Sequence, residues 1–582
     1  MIVKIKELIT KYSFLCNLLF AILTEIAFAE YFNYQYDFVI TCFFFVFLYL
    51  YKKTDSKYSK KIKKYSMILS IVISLILSIG KIPSNHIWDI PFTIFGIKNI
   101  IKTLILFIGI TPLLYRLFCS MFKNLNRIKL FDEKRNMNKK SFFIIFFLML
   151  LSWIPFLLRY FPARMTPDSF YVIHYANEGI LSDLHTFGHT WFFGMFFHLG
   201  KFIFGNLNIA VAFGTLGQMV TLSLIFTNVI RVLHNAGVKK IILIALFVFY
   251  ALTPLNGMYS VTLWRDVLFG AAFPLLAVYL YEYINNEYKL SWKQVLLVLL
   301  SILFILFFRN NGIYVFILTI ILIPFFNKHH KKIIFISGIL ITILYFVIKG
   351  PIFDAFGVAK TKSIEAYSIP LQQISRVIYL DGNISKKQRE ELNKYIKVDS
   401  IKESYRQVIS DPIKNISNGD VISDNLGDFL SLWFRLLLKN PRIYVESYIM
   451  QTIGYWYPTI DYGGNETHLQ SFFEEDVTSS PITGDKINNI IDKYTSKTMP
   501  FSNIFWSIGT SFILLIISTA IMLYNGNKKY LILNIPLYAL WTVIMISTPV
   551  FAELRYIYGL LITIPILLIT QTNNTKRSNI KT

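Results

Sequence analysis

The chain has 582 residues, 54% hydrophobic and 17% aromatic, with 16% charged and a formal net charge of +24. So apolar a composition over this length excludes an ordinary soluble domain and a disordered chain. The basic excess would suit nucleic acid, but it is gathered in short loops between apolar runs, which points to membrane topology and anionic lipid and away from nucleic acid.

Apolar runs of roughly 17–22 residues recur along the chain, the length a helix needs to cross a bilayer. They predict an all-α polytopic membrane protein with about 14 transmembrane helices. The expected spans are 14–31, 36–51, 66–83, 100–118, 142–160, 207–230, 241–256, 266–284, 293–308, 312–326, 333–349, 503–523, 531–546 and 557–572. The first of these lacks a small-residue cleavage site and reads as a retained helix. Cys16, Cys42 and Cys119 lie in or beside apolar runs with no pairing or ligand spacing, and imply no function.

Basic segments set the orientation. They are the N-terminus (Lys4, Lys6, Lys11), Lys52–Lys64, Lys123–Lys140, Arg231–Lys240, Asn327–Lys332, Asn525–Lys529 and the tail Lys576–Lys581. Positive charge stays inside, so the cell membrane would hold both termini on its cytoplasmic side. Trp191–Phe204 is apolar enough to cross, but a crossing there would put Arg231–Lys240 outside. It is short and carries Gly194, His198, Gly200 and Lys201, so it reads as an interfacial helix.

Four regions follow. Residues 1–140 form an N-terminal four-span module, and 141–349 a transmembrane core with an outer loop at 161–206. Residues 350–502 form a small extracytoplasmic α-rich domain with interfacial helices, and 503–582 a three-span module. Within the outer domain, Ser431–Leu438 has a helical pattern, and Tyr448–Tyr457 has the composition of an interfacial belt.

Polar groups collect at the outer ends of the spans. Thr166-Pro167-Asp168-Ser169 is a helix start, with Thr as cap, Pro at the first position and Asp at the positive end of the dipole. The same Asp168 is a candidate general base at an apolar boundary. His185 and His189 are spaced i, i+4, so a divalent metal stays open as a cofactor; Gly188 weakens a helix there and spacing fixes no third ligand. Hydrogen bonding to a polar headgroup is the alternative for the pair. Arg265 and Asp266 open one span, Arg309, Asn310 and Asn311 turn between two, and Glu553 and Arg555 precede the last. Snorkelling explains one outer arginine, but three in a region where arginine is scarce point to phosphate binding. Pro370–Arg376 and Asp411–Lys414 read as turns and a short amphipathic helix. There is no Walker loop, nucleophile elbow or zinc-protease signature.

A carboxylate and several arginines on an outer face suit transfer from a lipid-phosphate-linked sugar, with a base for the acceptor proton and cations for the departing phosphate. The order Pro167-Asp168-Ser169, His185…His189, Leu263-Trp264-Arg265-Asp266, Arg309-Asn310-Asn311-Gly312, Pro370-Leu371-Gln372-Gln373 and Glu553-Leu554-Arg555-Tyr556 resembles an uncharacterised bacterial branch of the GT-C membrane glycosyltransferases. That superfamily includes protein mannosyltransferases and aminoarabinose transferases. The resemblance, over roughly 140–570, implies an essential acidic residue on the first large outer loop, which Asp168 matches, and an interfacial helix, which Trp191–Phe204 matches. It implies a polyprenyl-phosphate sugar donor, a glycan, lipid or protein acceptor, and surrounding membrane lipid. Asp168 would be the catalytic base. Arg265, Arg309 and Arg555 would hold phosphate, with His185, His189, Asp266, Asn310 and Glu553 at or behind the sugar. The chain departs from the mannosyltransferase pattern at Ser169, where a second acidic residue would follow. A flippase or transporter for lipid-linked glycans, or a glycan polymerase, are the alternative readings; a transporter predicts polar residues at mid-bilayer and broken helices.

Overall fold

A computed structural model describes residues 13–32, 38–52, 58–125, 127–360, 363–458, 477, 480–496 and 507–572. The basic N-terminus and tail fall outside these residues. The described chain is helical, with isolated β-bridges and no strand. The membrane-region helices are α1 (Ser13–Phe32), α2 (Phe38–Lys52), α3 (Lys60–Asn85), α4 (Ile97–Leu125), α5 (Lys139–Arg159), α6 (Pro167–Glu178), α7 (Phe187–Phe204), α8 (Leu207–Asn235), α9 (Lys240–Leu252), α10 (Pro254–Ser260), α11 (Arg265–Asn285), α12 (Trp292–Phe307), α13 (Gly312–Phe326) and α14 (Lys331–Val347). The polar region adds α15 (Ser368–Tyr379), α16 (Leu426–Lys439), α17 (Pro441–Thr452) and α18 (Asp485–Thr495). The chain closes with α19 (Ile508–Asn525), α20 (Ile535–Ser547) and α21 (Tyr558–Gln571).

Among the described residues nine helices are long and apolar enough to cross a membrane. The α9–α10 pair, bent by 52°, passes as a tenth, and Cys42–Tyr51, α12, α13 and α20 are shorter apolar helices. The protein is therefore a multi-pass α-helical membrane protein. Its centre is α11, enclosed almost completely by its neighbours, while α14 turns most of its side chains outward. Close approach at the centre depends on small residues. Gly270 of α11 faces Tyr558 and Gly559 of α21, where an added Cβ would lie 2.7 Å from the Tyr558 ring. The C-terminal helices thus share one core with α8 and α11.

The basic loops gather at one end of the bundle. Phe131 bridges to Val238 and its ring lies 6.5 Å from Tyr281, which stacks on Tyr530. Tyr530 Oη donates to Asn285 Oδ1 (2.7 Å), and Tyr283 Oη meets His330 Nδ1 (3.2 Å). At the opposite end lies the polar region, with its own core of Leu371, Ile374, Tyr405, Phe429, Leu432 and Tyr444. Helix α16 extends the predicted helix in both directions and leaves Leu430, Phe434 and Leu438 exposed in an i, i+4, i+8 stripe.

Helix α7 lies against α8. It packs on the first turns of α8, with Gly214 and Gly217 against Phe193 and Phe196. Just there α8 meets the ends of neighbouring spans. Thr215 Oγ1 donates to Pro162 O (2.9 Å), and Gln218 Nε2 donates to Tyr259, Ser260 and Thr262 O. The turns of α8 that α7 covers therefore begin where α5 and α10 stop.

Candidate functional site

Asp168 is fixed by local sequence. Pro167 opens α6, Thr166 Oγ1 accepts from Ser169 N (3.3 Å), and Ser169 Oγ accepts from Thr166 N (3.1 Å), a reciprocal capping box. The preceding residue pair is tied down as well. Arg164 N donates to Val261 O (2.9 Å), and Arg164 bridges to Thr262. That tie sets the start of α6 against the start of α11, so Asp168 and Arg265 face one another's neighbourhood.

Four of the predicted residues meet around this carboxylate. Arg555 Nη1 donates to Asp168 Oδ2 (2.6 Å), and His185 Nδ1 lies 3.9 Å from Asp168 Oδ1. Glu553 Oε1 is 3.7 Å from Arg555 Nε. The Arg555 guanidinium lies over Trp264 (4.8 Å) and Tyr556 (5.3 Å). Arg265 donates to Leu184 O (3.0 Å). Burial acts to raise the Asp168 carboxyl, but the charges of Arg555 and Arg265 outweigh it and hold the group at about 2, below its ordinary 3.8. The side chains of Asp168, His185, Glu553 and Arg555 are 17–27% exposed, enough for a ligand to touch them.

A second layer sits beneath. Arg309 Nη1 stands 3.0 Å from Asp266 Oδ1, off the line of a hydrogen bond, and Asp266 is 1% exposed. Arg309 also donates to Tyr556 O (3.3 Å) and lies over the Tyr556 ring at 4.1 Å. Arg309 and Asp266, expected at the substrate, thus brace the loop that carries Arg555. His189 is buried edge-on to Phe308, and its Nδ1 has no hydrogen-bond partner among the described residues. His185 instead stacks on Tyr171 (4.7 Å).

Both histidines are held neutral. Burial, with Arg265 adding, brings His185 from 6.5 to about 4 and His189 to about 3. The unfolded chain therefore takes up protons that the folded chain refuses. Their stabilising share is whole above pH 6.5 and is lost as pH falls through those lowered values. The thermal midpoint of the purified protein should fall between about pH 6.5 and pH 4, and the fall should be shallower in His185→Gln/His189→Gln. Parallel pH curves would remove the histidines as its cause.

Sequence reasoning missed Lys349. Its Nζ donates to both Asp183 oxygens (2.5 Å each) and to Asn310 Oδ1 (3.1 Å), while Asn310 Nδ2 donates to Asp183 O (3.3 Å). Asp183 Oδ1 also accepts from Phe187 N (3.2 Å), so this knot fixes the His185 loop. Asn310 therefore supports that loop. Lys349 sits in a π-helical turn, Ile348–Ile352, at the same end of the bundle as Arg265, Arg309 and Arg555. The scarcity argument that singled out those arginines applies equally to it.

Tyr455 was also missed. Its stretch reads as an interfacial belt, yet Tyr455 and Tyr457 are buried. Tyr455 Oη donates to Val550 O (2.9 Å) and accepts from Thr548 Oγ1 (3.0 Å) and Glu553 N (3.1 Å). It clamps the loop leading to Arg555. Tyr455→Phe should cost about 1–3 kcal/mol by taking the acceptor from Glu553 N, while Thr548 Oγ1 keeps Val550 O (2.6 Å), and is read as a lowered unfolding midpoint. An unchanged midpoint would deny the clamp.

No three His, Cys, Asp or Glu side chains among the described residues are grouped to share a metal ion. Asp168 and His185 offer two donors, and the adjacent Arg555 and Arg265 charges oppose a dication there. The donor set does not fit a divalent metal.

Residues 159–582 match the model of DUF6020, a family of unknown function, and the chain belongs to that family. Every residue of the cluster lies inside the matched part. No curated protein and no solved structure matches the chain.

Proposed function

We propose that this DUF6020 member is an inverting glycosyltransferase of GT-C type. It moves a sugar from a polyprenyl-phosphate carrier to a glycan, lipid or protein acceptor on the extracytoplasmic face. The reading includes 14 crossings, with the basic loops inside. The observation that carries it is the convergence of Asp168, Arg555, Arg265 and His185, drawn from three distant parts of the chain, onto one partly open cluster.

The reaction is a single displacement. The acceptor oxygen bonds to the sugar's anomeric carbon, the bond from that carbon to the phosphate oxygen breaks, and the electron pair leaves with the lipid phosphate. The acceptor proton passes to Asp168, and Arg555 and Arg265 hold the departing charge. A carboxyl held at about 2 is a weak base before a donor binds. A donor phosphate competes for Arg555 and Arg265. As it takes their charge, Asp168 loses what depresses it, and its basicity rises with substrate in place. Donor binding thereby switches on the base.

Mass spectrometry of lipids copurifying with the full chain tests this. A polyprenyl-phosphate monosaccharide is expected, followed by transfer in a reconstituted assay. A lipid-linked oligosaccharide in its place would overturn it in favour of a polymerase or flippase.

A further inference from the structure

At the basic end of the bundle a cavity of about 410 Å³ lies between α5, α8 and α9. Helix α5, 21 residues and about 31 Å long, separates it from the Asp168 end. Its walls are apolar, including Ile145, Ile230 and Leu243, and its rim carries Arg135, His234 and Lys240. No acidic residue lines it, and the nearby Asp132 is held by Lys239 at 4.0 Å.

The rim is built. Arg135 Nη2 donates to Val238 O (2.6 Å), and Asn235 Oδ1 accepts from Met137 N (2.8 Å), which fixes the segment 135–138 over the cavity. Arg135 Nε is buried with no hydrogen-bond partner among the described residues. Leu148 and Ile244, also in the walls, are 49% and 47% exposed, so the cavity opens sideways along α5 and α9. A soluble anion has no use for apolar walls, and a bare alkyl chain has no use for the cations.

We propose that this cavity binds an anionic membrane phospholipid, its phosphate at Arg135 and Lys240 and its acyl chains along α5 and α9. The match is one of charge and shape: a cationic rim lies over hydrocarbon walls, at the end where the basic loops collect. The site is independent of the transfer chemistry proposed at Asp168.

Native mass spectrometry of the full chain, released from nanodiscs of phosphatidylglycerol mixed with phosphatidylcholine, tests it. Phosphatidylglycerol should be retained preferentially, and Arg135→Gln and Lys240→Gln should each lower its retention about fivefold without affecting phosphatidylcholine. Lys240 is exposed, so its change leaves the fold intact. Ile244→Trp, which fills the opening, should reduce phosphatidylglycerol with both charges present. Equal retention of the two lipids, or retention unchanged in all three variants, would overturn the proposal. So would displacement of phosphatidylglycerol by added polyprenyl phosphate, which would assign the cavity to the carrier lipid.

Discussion

Asp168→Asn should abolish sugar transfer, with a loss of about 10²–10⁴-fold, while the protein still inserts and purifies as a single species. The amide is nearly isosteric and keeps the capping box of Thr166 and Ser169, because that box uses no Asp168 atom. What disappears is the proton acceptor and the charge opposite Arg555. Arg555 keeps Glu553 at 3.7 Å and its seat over Trp264 and Tyr556, so it is not stranded. The free protein's pH profile sharpens the prediction. With its folded value at about 2 and its ordinary value at 3.8, the carboxyl is charged throughout the physiological range. Its pairing contributes stability above pH 3.8 that is lost as pH falls through about 2. Wild type and Asp168→Asn should therefore show parallel stability curves between about pH 5 and 8, yet differ fully in activity. Transfer at the wild-type rate by Asp168→Asn would remove the residue from the mechanism.

The multi-pass helical class was legible because it rests on length and polarity alone. Each expected interval lies on or overlaps an apolar helix, though residues 36–37 and 503–506 fall outside the described residues. Asp168 could be picked out because a cap is a local signal, and Arg555 because arginine is rare where it stands. Their pairing across 387 positions could not be read, since no local pattern encodes it. Nor could depth. Arg265, Arg309 and Arg555 look alike in sequence, but packing puts Arg309 beneath, against Asp266. Tyr455 and Lys349 were passed over for one reason. Aromatic and basic residues at a span's end normally serve the interface, and only tertiary contacts reveal these two as clamp and tie. Arg376 extends the lesson. Its helix α15 reads as amphipathic, yet Arg376 is fully buried, donating to Gln407 Oε1 (2.9 Å) and Phe92 O (3.0 Å). It thereby joins the polar region to the loop after α3.

Arg555→Gln should lower transfer by at least about 10²-fold, because a cation placed on the departing phosphate acts where charge develops. It should also destabilise the fold by up to about 3 kcal/mol, because Asp168 would keep a partly buried charge facing only Arg265 and His185. Those two effects have different cures. Adding Asp168→Asn to Arg555→Gln removes the stranded carboxylate, so the unfolding midpoint should recover toward wild type. Activity should stay at the level of the worse single variant, since base and phosphate holder act on one transition state. Recovery of both would mean that Arg555 serves the fold alone. Recovery of neither would mean that the pair is no unit. Arg555→Lys separates charge from shape. Lysine keeps the charge that depresses Asp168 but cannot lie flat between Trp264 and Tyr556 or grip phosphate with two nitrogens. Its stability should stay near wild type and its transfer rate should fall. Acid sensitivity gives the remaining readout. Without the guanidinium the Asp168 carboxyl rises toward its ordinary value, so Arg555→Gln should lose stability at a higher pH than wild type on acidification, and Arg555→Lys should not.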